Sequence, residues 1–171
     1  RFEGNGKLKA ETADSSVVAI NEVNFENTYG ANGSVTLSGS KTIANKPADM
    51  DLSGFKFTVK ENGAEVAKGE SDAAGNIKFD TITYATLDAV GEHTYEVSED
   101  ADTKAGVTNT TVKRIVKVSV TDEGNGKLKA ETADTSVVAI NEVNFENTYG
   151  ASGSVTLSGS KTIANKPADM D

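Results

Sequence analysis

The 171-residue chain has no cysteine and no tryptophan, only two prolines, and a single histidine. Without cysteine there is no disulfide and no thiolate metal site. His93 stands alone, which excludes a multi-histidine zinc site, and no nucleophile motif lies beside it to make a Ser/His/Asp triad. No apolar run approaches the roughly 18 residues of a membrane-spanning helix. Neither a signal-peptide nor a sorting pattern is present, which decides little, because a fragment of a secreted protein would carry neither. Basic residues are the minority, and the formal net charge of -9 argues against nucleic acid and anionic membrane as partners. Gly124-Asn125-Gly126 reads as a turn rather than a phosphate loop. Asp100 and Asp102 lack EF-hand spacing and read as a solvated acidic loop. No cofactor, no metal and no enzyme activity on a separate substrate are expected.

What the chain does contain is a repeat. Residues 3–51 match residues 123–171 at every position but two: Ser15 becomes Thr135 and Asn32 becomes Ser152. The repeat unit is therefore 120 residues, and the chain holds about one and a half copies. Small, glycine-bearing segments at Tyr29-Gly30-Ala31-Asn32-Gly33 and Tyr149-Gly150-Ala151-Ser152-Gly153 suit a linker between units. The expected organisation is 1–30 as the C-terminal strands of a preceding repeat, 31–150 as one complete domain, and 151–171 as the N-terminal strand of the next. A unit of this length can build its own core, whereas the two flanks are too short to do so.

Threonine, valine, serine, asparagine and glycine dominate, a composition of short strands joined by turns. Ser34–Ile43, Phe55–Glu61, Ile77–Tyr84, His93–Glu99, Thr111–Thr121, Lys127–Glu131 and Val143–Tyr149 read as strands, most of them alternating apolar and polar residues. Asn62-Gly63 and Gly124-Asn125-Gly126 are turn signals, and Thr86–Val90 fits one helical turn. About seven strands at this spacing predict an all-β, immunoglobulin-like sandwich.

Side chains along a strand point alternately to opposite faces. Val35, Leu37, Gly39, Lys41 and Ile43 share one face, which sets Lys41 among apolar neighbours. Val143, Phe145, Asn147 and Tyr149 do the same for Asn147, and Tyr95, Val97 and Glu99 for Glu99. Each residue alone has a plain reading: a snorkelling lysine, a turn asparagine, a solvated glutamate. Together they permit chemistry. Burial disfavours the charged forms of an amine and a carboxyl. A neutral Lys41 amine can attack the Asn147 amide with loss of ammonia, while a protonated Glu99 polarises the Asn147 carbonyl and shuttles protons. Glu96 and Asp100, on the opposite face of the middle strand, stand in for Glu99 if the register slips by one residue.

At these residues the sequence resembles the pilin isopeptide-linkage domain of Gram-positive major pilins and surface adhesins, a relative of the collagen-adhesin B-type domains. The matching pieces are Ser38-Gly39-Ser40-Lys41-Thr42, Phe55-Lys56-Phe57, Gly75-Asn76-Ile77-Lys78-Phe79, Thr94-Tyr95-Glu96-Val97-Ser98-Glu99, Asp122-Glu123-Gly124-Asn125-Gly126-Lys127-Leu128 and Phe145-Glu146-Asn147-Thr148-Tyr149. The resemblance implies an inverse-immunoglobulin sandwich with a covalent bond between its first and last strands. It implies Lys41 as amine donor, Asn147 as acyl donor and Glu99 as catalytic acid, with Asn27 and Lys161 as their equivalents in the flanking repeats. It further implies a structural stalk on a cell-wall-anchored surface protein, with adjacent repeats of the same chain as its partners. A repeated module that binds a host protein or glycan through the loops Ala85–Gly91 and Asp100–Gly106 is the alternative. Exchange of the 1–30 tail for residues 121–150 of a neighbouring molecule, bringing Asn27 to a foreign Lys41, is a further expectation.

Overall fold

β-Branched residues are stiff at χ1 and pack well on a pleated surface, so the Thr/Val/Ile-rich segments favour strands. The computed structural model describes residues 10–20, 22–101 and 104–169. It contains β1 (Gly33–Ala44), β2 (Lys56–Glu61), β3 (Ala64–Ser71), β4 (Asn76–Tyr84), β5 (Gly91–Glu99), β6 (Val107–Thr108), β7 (Arg114–Asp122), β8 (Leu128–Thr132) and β9 (Phe145–Tyr149), with one 3₁₀ turn at Leu87–Ala89. No helix of the described residues is long and apolar enough to cross a membrane.

The hydrogen-bonded order is β6-β9-β1-β4-β3-β2-β5-β7-β8. All neighbours are antiparallel except β1 and β9, which run parallel with Lys41 beside Phe145 and Ile43 beside Asn147. β1 closes the structure. One edge pairs with β4. The other meets the start of β8 at Asn32 and Lys127, then the 140–143 segment through Ser38, and finally β9. The sheet thus folds back on itself as a sandwich around one core, in which Leu37, Phe55, Phe57, Val59, Tyr95, Val97, Val116 and Val118 are wholly buried.

Three strands differ from the sequence expectation, among them the two-residue β6 (Val107–Thr108), which no alternation marks. β3 was not anticipated, because Ala64–Ser71 is mostly alanine, glutamate, lysine and glycine, all poor strand formers. It forms because the Asn62-Gly63 turn, with both residues at positive φ, folds it back onto β2 in register. β7 starts at Arg114 rather than Thr111. Thr110 Oγ1 accepts a hydrogen bond from the Val112 N–H at 3.2 Å, a local contact that competes with the ladder.

The duplicated segments behave differently in their two positions. Residues 123–150 supply β8 and β9, while the described part of the matching 3–30 segment forms no strand. Residues 33–44 form β1, while 153–164 form none. Phe145 is 2% exposed and its copy Phe25 88%; Leu37 is 0% exposed and its copy Leu157 88%. Near its end the N-terminal flank does touch the domain. The Tyr29 hydroxyl donates to Asp122 Oδ1 at 2.8 Å and accepts from the Gly126 N–H at 3.0 Å.

Candidate isopeptide site

Alternation along β1, β5 and β9 turns Lys41, Glu99 and Asn147 to the inside of the sandwich, and the packing brings them together. Lys41 is 1% exposed and Asn147 2%. The Lys41 and Glu99 side chains are fully buried, with Lys41 Nζ 3.1 Å from Glu99 Oε2. The other carboxylate oxygen, Oε1, accepts from Asn147 Nδ2 at 2.8 Å. Because Asn147 lies beside Ile43, Lys41 is one same-face step away along β1, a diagonal its long stem spans.

The amide orientation follows from its second partner. The Thr110 backbone N–H points at Asn147 Oδ1 from 2.8 Å. A backbone N–H can only donate, so the atom facing it must be the carbonyl oxygen, and Nδ2 is left for Glu99. This corrects the expectation that Glu99 polarises the Asn147 carbonyl. Glu99 accepts from the amide nitrogen, and the Thr110 N–H faces the carbonyl oxygen. The alternative carboxylates lie elsewhere: Glu96 pairs with Lys113 at 2.7 Å on the surface, and Asp100 accepts from Thr58 Oγ1 at 2.8 Å.

Apolar rings enclose the triad. Lys41 Nζ sits 5.0 Å from the Phe55 ring centroid, and the Phe57 and Phe145 centroids are 5.1 Å apart. Such walls keep water from the ion pair and strengthen every polar contact inside. The strand that carries Asn147 is pinned from outside. Asn144 Oδ1 accepts from the Ser40 N–H and hydroxyl, both at 2.9 Å, and Arg114 Nε donates to the Asn144 carbonyl at 2.8 Å. Lys41 itself is held by its N–H, which donates to the Gly75 carbonyl in the β3–β4 turn at 2.6 Å. Thr110, Asn144 and Arg114 escape sequence reasoning. Thr110 acts through its backbone and carries no residue-type signal, and the other two act across the fold.

Asn27 and Lys161 are not brought to any such triad; the 22–29 and 153–164 segments that carry them lie exposed. Of the two loops read as ligand-binding candidates, 85–91 folds inward, with Leu87 and Ala89 packed against the core and the Ala89 carbonyl bonded to His93. In the other, Lys104 reaches the Ser53 carbonyl and lies 4.1 Å over the Phe55 ring, while Asp102 lies outside the described residues.

The family model described as the Spy0128-like isopeptide containing domain, FctA, matches residues 37–150, a span that holds Lys41, Glu99 and Asn147. The chain belongs to this family. Among solved structures, this Spy0128-like chain is similar to the major pilin protein (T-13) from Streptococcus pyogenes, with 21% identity, a TM-score of 0.40 and 67% of this chain covered. The match spans about half, 52%, of that pilin's length. No curated protein matches.

Proposed function

We propose that this domain is a load-bearing stalk unit of a Gram-positive surface adhesin or pilin, locked by a self-made bond from Lys41 Nζ to Asn147 Cγ. The observation that carries the reading is Glu99, buried and bonded at once to the amine and to the amide nitrogen. One ammonium proton passes to Glu99 Oε2, freeing the Nζ lone pair. Nζ attacks Cγ while the Thr110 N–H stabilises the charge growing on Oδ1. A second Nζ proton reaches Nδ2 through Glu99 and the Cγ–Nδ2 bond breaks. The third Nζ hydrogen stays on the new amide, and ammonia departs. A surface hollow of about 280 Å³ beside Glu99, lined by Ser98, Asn109, Thr110 and Val112, offers it a way out. The reaction runs once, so the domain is not an enzyme in the turnover sense. Folding gathers the amine and the carboxamide on the two oxygens of one carboxylate, which supports a high effective concentration.

The product replaces a buried ion pair, costly to desolvate, with a neutral amide. It closes a loop of about 106 residues, worth roughly 4–5 kcal/mol of unfolded-state entropy if a cross-link of this kind acts as a disulfide does. Pulling force enters at β1 and leaves at β9, so the bond carries the load past the other strands. Repeats in series then form an inextensible rod on the cell surface. Intact-mass measurement tests the reading. The folded chain is expected to be lighter than its sequence by one ammonia, and Lys41→Ala and Glu99→Ala to restore the full mass and lower the melting temperature. Full mass in the folded wild-type chain rejects the bond; a deficit that survives in both variants rejects these residues.

A further inference from the structure

Near-identical repeats pose a pairing problem. Lys41 has two asparagines with the same sequence around them, Asn147 in β9 and Asn27 in its copy, and Asn27 is only 14 residues upstream. Proximity along the chain favours Asn27, since short loops close at least entropic cost. We propose that the position of the site at the far end of β1 enforces the choice: Lys41 takes the asparagine of its own unit and is barred by chain reach from the nearer one. The inference rests on the isopeptide reading above and adds the rule by which each lysine finds its partner.

The geometry is as follows. In the reactive register the asparagine lies beside Ile43, one strand spacing away. For Asn27 to occupy that position, the chain must leave the far end of β1 and return to Gly33, where β1 begins. From Ile43 back to Gly33 is ten steps along an extended strand, or roughly 33 Å. From Asn27 to Gly33 is six steps, which fully stretched cover at most about 21 Å. The lateral gap between strands, roughly 5 Å, cannot make up the difference. Residues 28–32 would also have to reverse direction within that length. The route to Asn147 passes through the whole domain and has no such limit. The same arithmetic, moved by one repeat, separates Lys161 from Asn147. Each unit is thus sealed on itself, and the run from Asn147 to Lys161 stays outside every lock.

The test uses the full chain with Asn147→Ala, which leaves Asn27 as the remaining asparagine of matching context. After refolding from denaturant at low concentration, the monomer band is expected to keep its full mass, with no Lys41–Asn27 peptide on digestion. Inserting about 20 Gly/Ser residues between Gly30 and Ala31 in the same variant lengthens the tether beyond the required span. That chain is expected to lose one ammonia and to yield the Lys41–Asn27 peptide from the monomer. A monomeric Lys41–Asn27 link without the insertion overturns the proposal, and so does an insertion that leaves the chain unlinked. The wild-type chain run in parallel separates the two ideas: if it shows no mass deficit, the isopeptide reading has failed; if it does, the variants judge the pairing rule alone.

Discussion

Lys41 and Glu99 form a salt bridge with no solvent contact, the kind in which desolvation rivals the Coulombic gain. Such a pair is weak as a stabilising device, and its burial beside a carboxamide and the Phe55 ring is the arrangement the proposed cross-link would use. His93 is a counter-example of a charged pair kept for structure. Its Nδ1 lies 2.7 Å from Glu61 Oε1 and its Nε2 2.8 Å from the Ala89 carbonyl, with the Tyr84 and Tyr95 rings alongside. Burial by itself lowers its pKa, but the Ala89 carbonyl and the Glu61 carboxylate outweigh burial and hold it above the ordinary 6.5. A raised folded-state pKa contributes stability that is full below the unfolded value and is lost as pH climbs through the folded one. The stability advantage of wild type over His93→Gln is therefore expected to be larger at about pH 5.5 than at about pH 8.5. Urea melts at the two pH values measure it; an equal advantage at both shows that the imidazolium contributes nothing.

At the scale of elements, the pairing of β1 with the last strand decides whether the site exists. The approach is so close at Gly39 that a Cβ there would stand 2.0 Å from the Val143 carbonyl oxygen. Real Cβ atoms do not tolerate that distance, so any side chain pushes residues 140–145 outward and takes Asn147 away from Glu99. Gly39→Ala is expected to cost about 1–3 kcal/mol and to slow or abolish the ammonia loss, read by intact mass during refolding. Normal cross-linking at normal stability in this variant contradicts the close approach. β3 makes the complementary point. Its residues carry little strand preference, and it exists because the turn at Asn62-Gly63 and the neighbours β2 and β4 supply register and partners.

At the scale of the whole molecule, the duplicated sequence is an internal control on what burial contributes. Phe25 and Phe145 have the same neighbours in sequence, and only Phe145 of the two is buried. Phe145→Ala is expected to destabilise the domain by about 3–5 kcal/mol, and Phe25→Ala to change its stability by no more than about 0.5 kcal/mol. Denaturant melts of the two variants compare them directly. Similar losses in both mean that the N-terminal flank docks on the domain through its apolar face.

The strand alternation by itself placed Lys41, Glu99 and Asn147 on inward faces, because period two is a local property of extended backbone and needs no partner strand. The repeat length and most strand positions are legible for the same reason: they rest on residue order and local turn chemistry. What the alternation cannot say is which inward residues meet, and that came only from the closure of the sandwich and the parallel run of β9 on β1. Nor does residue order disclose the Thr110 N–H, since every residue but proline offers one and its aim is set by the fold. The strongest case is the repeat itself. One sequence, Phe-Glu-Asn-Thr-Tyr, is a buried strand at 145–149 and exposed chain at 25–29, because a strand forms where unpaired backbone edges and an apolar face await it.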